Sequence, residues 1–103
     1  MLIIELTVNN HPGVMTQITA LFSRRAFNLE GILCTPCDDD RSRSRMFLLV
    51  APDGRLEQII RQLEKLYDVL DVSVREDVDH RVFRRLYGFL QDGAAAAAVA
   101  AGI

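Results

Sequence analysis

Residues 2–36 read LIIELTVNNHPGVMTQITALFSRRAFNLEGILCTP, and the changes of period along this stretch decide the fold. Leu2, Ile4, Leu6 and Val8 alternate with Ile3, Glu5 and Thr7, a period of two that predicts a strand over Met1–Val8 with two dissimilar faces. Asn9-Asn10-His11-Pro12-Gly13 breaks the alternation. Val14, Ile18, Leu21 and Phe22 then recur at i, i+4, i+7 and i+8, the stripe of an amphipathic helix whose first turn suits Pro12. A second strand fits Asn28–Pro36, so the chain opens as strand, helix, strand.

Working outward, the polar run Asp38–Arg43 predicts a surface turn into a third strand, Arg45–Ala51, forming a hairpin with the second. Pro52-Asp53-Gly54 is a turn signal, after which Leu56, Ile59, Ile60, Leu63, Leu66 and Tyr67 keep the helical period. Val69–Arg75 alternates once more, with Leu70, Val72 and Val74 expected inward and Asp71, Ser73 and Arg75 outward. The order βαββαβ predicts a ferredoxin-like α+β sandwich: an antiparallel sheet with two helices on one face. The other face is then expected to carry no helix, although Ile3, Phe47 and Leu49 lie on it. These are either scattered surface hydrophobes or a contiguous patch for pairing with another copy, and the second reading is preferred.

Beyond Asp79, the residues Val82, Phe83, Leu86, Tyr87 and Leu90 fit a short helix, while Phe83, Tyr87 and Phe89 also alternate like a strand; helix is preferred. Gly93–Ile103 is nearly all alanine and glycine and is expected to be a flexible tail. The chain thus divides into a domain over residues 1–78 and a C-terminal extension over 79–103. With 103 residues, 50% of them hydrophobic, it has enough material for one core. Twelve basic against 14 acidic side chains, a net charge of −2, argue against nucleic acid, whose phosphates demand a basic surface. No run nears the roughly 20 apolar residues of a membrane span, and no secretory leader is recognisable, so a cytoplasmic location is expected.

Chemistry concentrates in the loop before the first helix. Helix-opening N–H groups have no intrahelical acceptor and the helix dipole favours an anion there, so a carboxylate suits the amides of Gly13, Val14 and Met15. Asn10 and Asn28 offer side-chain amides, Asn28 being near the loop if both ends of the crossover point the same way. The competing reading makes Asn10 a helix cap and Gly13 a helix-start residue with no ligand. His11 has no nucleophile or carboxylate at a catalytic spacing, so no catalytic residue is assigned. Cys34 and Cys37, the two cysteines, have C-x-x-C spacing but end a strand instead of preceding a helix, and no metal site is assigned. Acylphosphatase-like hydrolysis would need an arginine in the first loop, and none occurs between Met1 and Gln17. RNA binding would need stacking aromatics, and Phe47 is the one aromatic in the first three strands.

Leu6–Leu33, LTVNNHPGVMTQITALFSRRAFNLEGIL, together with LEQIIRQLEKLYDVLDV at 56–72, resembles the small regulatory subunits of acetolactate (acetohydroxyacid) synthase, in the short isozyme I form. The resemblance implies that residues 1–78 are an ACT domain and that two copies form a homodimer with an effector at their interface. It matches Asn10, Gly13 and Asn28 to ligand-contacting positions, with the amides of Val14 and Met15 reaching the effector carboxylate. It implies feedback by valine or another branched-chain amino acid on a catalytic large subunit. That large subunit would hold the thiamine diphosphate, Mg²⁺ and FAD, leaving this chain non-catalytic and without a cofactor. A stand-alone ACT amino-acid sensor serving a different enzyme is the alternative. Ala26 and Gly31 depart from the family pattern, standing where relatives often have glycine and serine.

Overall fold

The computed structural model describes residues 1–93, and the expected tail beyond them lies outside the described residues. The elements are β1 (Leu2–Asn9), α1 (Val14–Arg24), β2 (Leu29–Pro36), β3 (Arg43–Val50), α2 (Leu56–Glu64), β4 (Val69–Arg75) and α3 (Val82–Gln91). The four strands order as β2-β3-β1-β4, with every neighbouring pair antiparallel. Through β4 the chain is the expected ferredoxin-like sandwich, with β1 and β3 central and β2 and β4 at the edges.

The core lies between the sheet and the first two helices. Ile4, Leu6 and Val8 of β1 and Met46, Leu48 and Val50 of β3 meet Val14, Ile18, Leu21 and Phe22 of α1 and Ile59 and Leu63 of α2, all buried. Burial of each large aliphatic side chain here contributes about 1.5–3 kcal/mol. The α1 terminus shows how local sequence sets the entry into β2. Ala26 takes φ 51°, its N–H donates to the Ser23 carbonyl, and Phe27 N–H donates to the Phe22 carbonyl. That is a Schellman end, closed by the expected hydrophobic contact: the Phe22 and Phe27 rings meet edge to face with centroids 5.7 Å apart. A left-handed C′ residue is normally glycine, which explains why alanine at 26 is a departure.

Three expectations need correction. Tyr67 does not continue the α2 stripe: α2 ends at Glu64, the chain turns through Leu66 N–H to Leu63 carbonyl, and Tyr67 is left 91% exposed. In β4, the inward set is Val69, Val72 and Val74, not Leu70. Val8 pairs with Val69 while Thr7 pairs with Asp71, so Leu70 is the extra residue of a β-bulge and stands 50% exposed. A bulge changes the parity of a strand, an event that alternation alone does not encode.

The third concerns the far sheet face, which is not bare. Residues 82–91 form a helix, and α3 lies across that face. Phe83 sits over Gly31, where a Cβ would come within 2.8 Å of the ring, and beside Leu49. Ile3, Leu49 and Gly31 are laterally paired on this face, and Ile3 is only 2% exposed. The apolar patch read from β1 and β3 is therefore covered in part by the chain's own helix. The fit is loose: α3 buries none of its residues fully and leaves an apolar hollow of about 200 Å³ among Ile3, Leu33, Phe47, Val82, Phe83 and Leu86.

Candidate functional site

The loop from β1 to α1 is built backwards from Gly13. Gly13 has φ 92°, a left-handed conformation that L side chains rarely adopt, and it begins α1 with no side-chain cap. Among the described residues no backbone carbonyl accepts from the N–H of Gly13 or Met15, whereas Val14 N–H reaches the His11 carbonyl at 3.4 Å. Open N–H donors, those of Gly13 and Met15 among them, thus sit at the positive end of the α1 dipole, and the Val14 amide is partly engaged.

Asn10 is not the helix cap. Its side-chain amide donates to the Arg41 carbonyl at 2.7 Å, and its backbone N–H donates to the Ser42 carbonyl at 2.9 Å. It fastens the loop to the β2–β3 turn, where Arg41 itself is left-handed at φ 60°. That turn is further closed by Arg43, whose Nε donates to Asp38 at 2.6 Å and holds the Asp38 carboxyl below the usual range.

Asn28 lies elsewhere within one chain. Leu29 pairs with Val50, which pairs with Leu2, so β2 starts at the same end of the sheet as β1. The loop is at the opposite end, a strand length or roughly 20 Å away. Asn28 donates to the Glu30 carboxylate at 3.0 Å on the exposed surface. Both ends of the crossover therefore do not point the same way, as parallel β1 and β2 require.

The loop has a support that alternation and spacing gave no signal for. Asp68, at the α2–β4 turn, is only 5% exposed, and its Oδ1 lies 2.7 Å from His11 Nε2 and accepts from Asn9 Nδ2 at 3.2 Å. Its carbonyl accepts from Asn9 N–H at 2.9 Å. His11 Nδ1 lies 3.0 Å from the Pro12 carbonyl. The Pro12 carbonyl and then Asp68 raise the His11 pKa, while His11 and then Asn9 lower that of Asp68. Residues 57 apart in sequence are joined here, which no local pattern announces.

Beside the loop a hollow of about 130 Å³ is walled by Val14 and Met15 of α1, His11, Ser44 and Met46 of β3, and Cys34 of β2. It is only half enclosed and borders β2, the edge strand, which among the described residues has no partner on its outer side. Most of β2 is exposed, including Ile32 and Leu33. A long apolar edge of this kind is a template for strand pairing. Cys34 and Cys37 are both free and exposed. Among the described residues no helix is long and apolar enough to cross a membrane.

Comparison with known proteins identifies the family of this fold. A family model described as the AHAS small subunit-like ACT domain matches residues 4–71. The chain is 53% identical over 89 residues to the acetolactate synthase isozyme 1 small subunit of Escherichia coli K12, covering 86% of this chain and 91% of that protein. It is 44% identical over 86 residues to the acetolactate synthase small subunit of Mycobacterium bovis, covering 81% of this chain and 49% of that one. Among solved structures, the acetolactate synthase small subunit of Thermotoga maritima superposes with a TM-score of 0.65 at 32% identity, over 75% of this chain and 48% of that one. The chain thus spans nearly all of the E. coli subunit and about half the length of the other two.

Proposed function

Because the chain belongs to the AHAS small subunit-like ACT family, we propose that it is a non-catalytic regulatory subunit of acetolactate synthase. In this reading it pairs with a second copy, takes valine or another branched-chain amino acid at the start of α1, and adjusts a catalytic large subunit in the cytoplasm. Thiamine diphosphate, Mg²⁺ and FAD belong to that large subunit.

The observation that carries the reading is the meeting of two incomplete features: open N–H donors of Gly13 and Met15, and the unpaired edge of β2 beside them. The donors suit the effector carboxylate. Antiparallel pairing of two β2 strands sets the start of one against the end of the other, which brings Asn28 of the second copy toward the loop of the first. The 20 Å gap within one chain is closed by the dimer, and the small hollow gains its missing wall. For regulation, the effector must bind one state of the holoenzyme better than another, because equal affinity shifts nothing.

The test mixes the protein with its cognate large subunit and follows acetolactate formation with and without valine. Activation by the small subunit and a valine-dependent fall in rate are expected; the absence of both effects would overturn the assignment. Two variants locate the site. Gly13→Asp and Gly13→Ala share the backbone strain of a side chain at φ 92°, but only the aspartate sets a carboxylate against the donors. The valine-induced thermal shift is expected to survive in Gly13→Ala and vanish in Gly13→Asp. Its survival in both would move the site elsewhere.

A further inference from the structure

The two nitrogens of the His11 ring face two acceptors: Nδ1 lies 3.0 Å from the Pro12 carbonyl and Nε2 lies 2.7 Å from the Asp68 carboxylate. A neutral imidazole carries one N–H and so serves only one of them; the imidazolium serves both. Neither acceptor can turn into a donor, since one is a peptide carbonyl and the other a carboxylate tied by Asn9 as well. The geometry therefore selects the protonated ring.

We propose that His11 is a positioning residue that clamps the β1–α1 loop as an imidazolium against Asp68, and that effector binding at this loop is accordingly linked to uptake of a proton. The inference rests on the effector reading above and adds its regulation by pH.

The clamp acts where it matters. Pro12 and His11 immediately precede Gly13, and the His11 carbonyl accepts from Val14 N–H, so the ring fixes both peptides leading into the open donors. Asp68 sits on the bulged entry to β4, so the clamp joins the loop to the part of the sheet farthest from β2. The Asp68 carboxylate is the ionisable group that contacts His11; across the hollow lies the Cys34 thiol, and β1, β3 and α1 present no ionisable side chain to it. The sign follows from the raised His11 pKa: the clamp is intact at low pH, and is lost as pH rises through that raised value. At the acid end it lasts until Asp68 takes a proton, below its ordinary value.

The experiment is isothermal titration of the whole protein with valine from pH 6 to pH 8.5, in buffers of different ionisation enthalpy. With His11 half-exposed, the pair is worth a two- to fivefold fall in affinity across the range, with net proton uptake on binding near the His11 pKa. His11→Gln, which keeps a donor but no titratable charge, flattens the profile; Asp68→Asn is the second variant. The sequence holds one other histidine, His80, on the approach to α3, and His80→Gln leaves the profile unchanged. Ring ¹⁵N shifts of the free protein, followed against pH, read the clamp without any effector: His11 is expected to hold both ring protons to a higher pH in the unsubstituted protein than in Asp68→Asn. Valine binding with a pH-flat affinity in the unsubstituted protein overturns the inference and leaves the proposed function standing. Absence of binding at every pH by valine, leucine and isoleucine alike overturns the proposed function, and a His11 titration that Asp68→Asn leaves unchanged overturns the clamp itself.

Discussion

The two faces of the sheet are built from the same strands, yet they are covered in different ways. On one, alternate residues of β1 and β3 interlock with α1 and α2 until the lining side chains are sealed from solvent. On the other, Ile3 and Leu49 are sealed too, but by a helix that buries none of its own residues and stands off from the sheet over an apolar hollow. Glu5 interrupts that second face, tied by Arg75 at 2.5 Å and approached by Arg45. The lesson is that apolar content alone does not make a core: close packing needs both surfaces to be continuous, and a charged residue in the middle of one of them prevents it.

The contrast can be broken by deletion. Leu48→Ala on the sealed face is expected to cost about 2–5 kcal/mol in denaturant unfolding, the range for large-to-small changes in a core. Phe83→Ala is expected to cost clearly less, about 1–2 kcal/mol, because one side of the ring already faces a void. Equal costs would mean that α3 is as firmly seated as α1.

A smaller effect sharpens the contact itself. Gly31→Ala drives a Cβ against Phe83, and because the helix above is loosely held, the expected cost is about 1 kcal/mol. That cost disappears when Phe83 is alanine, so a double-mutant cycle shows coupling. Additive costs would put the penalty in β2 instead. Smallest is the gain from Ala26→Gly, up to about 1 kcal/mol, which relieves the left-handed backbone at the end of α1. It would also show that the sealed face tolerates strain at its margin.

The sealed face was legible in the sequence, because Leu2 to Val8, Val14 to Phe22 and Leu56 to Leu63 each keep one period for as long as the element lasts. What escaped was non-local. Leu70 lost its inward place to a bulge set by pairing with β1, and Tyr67 lost its place in the stripe to an early end of α2. The seat of α3 depended on Gly31, which reads as a neutral residue until Phe83 is found above it. At the loop, Gly13 and its donors were foreseen from the helix start. Asn10, read as a ligand contact or a helix cap, does not cap the helix and holds the Arg41 carbonyl, while Asp68, a carboxylate between Tyr67 and Val69, gave no motif to read.

One strand ties these threads together. β2 is the least buried of the four, yet each of its sides carries an obligation: Gly31 makes room for α3 on one face, Cys34 walls the hollow on the other, and its outer edge is where a second copy would join. Exposure usually grants a residue freedom to drift over evolutionary time. Here the expected history is the reverse, with the most solvent-washed strand changing slowly and the sealed interior exchanging one aliphatic side chain for another more freely.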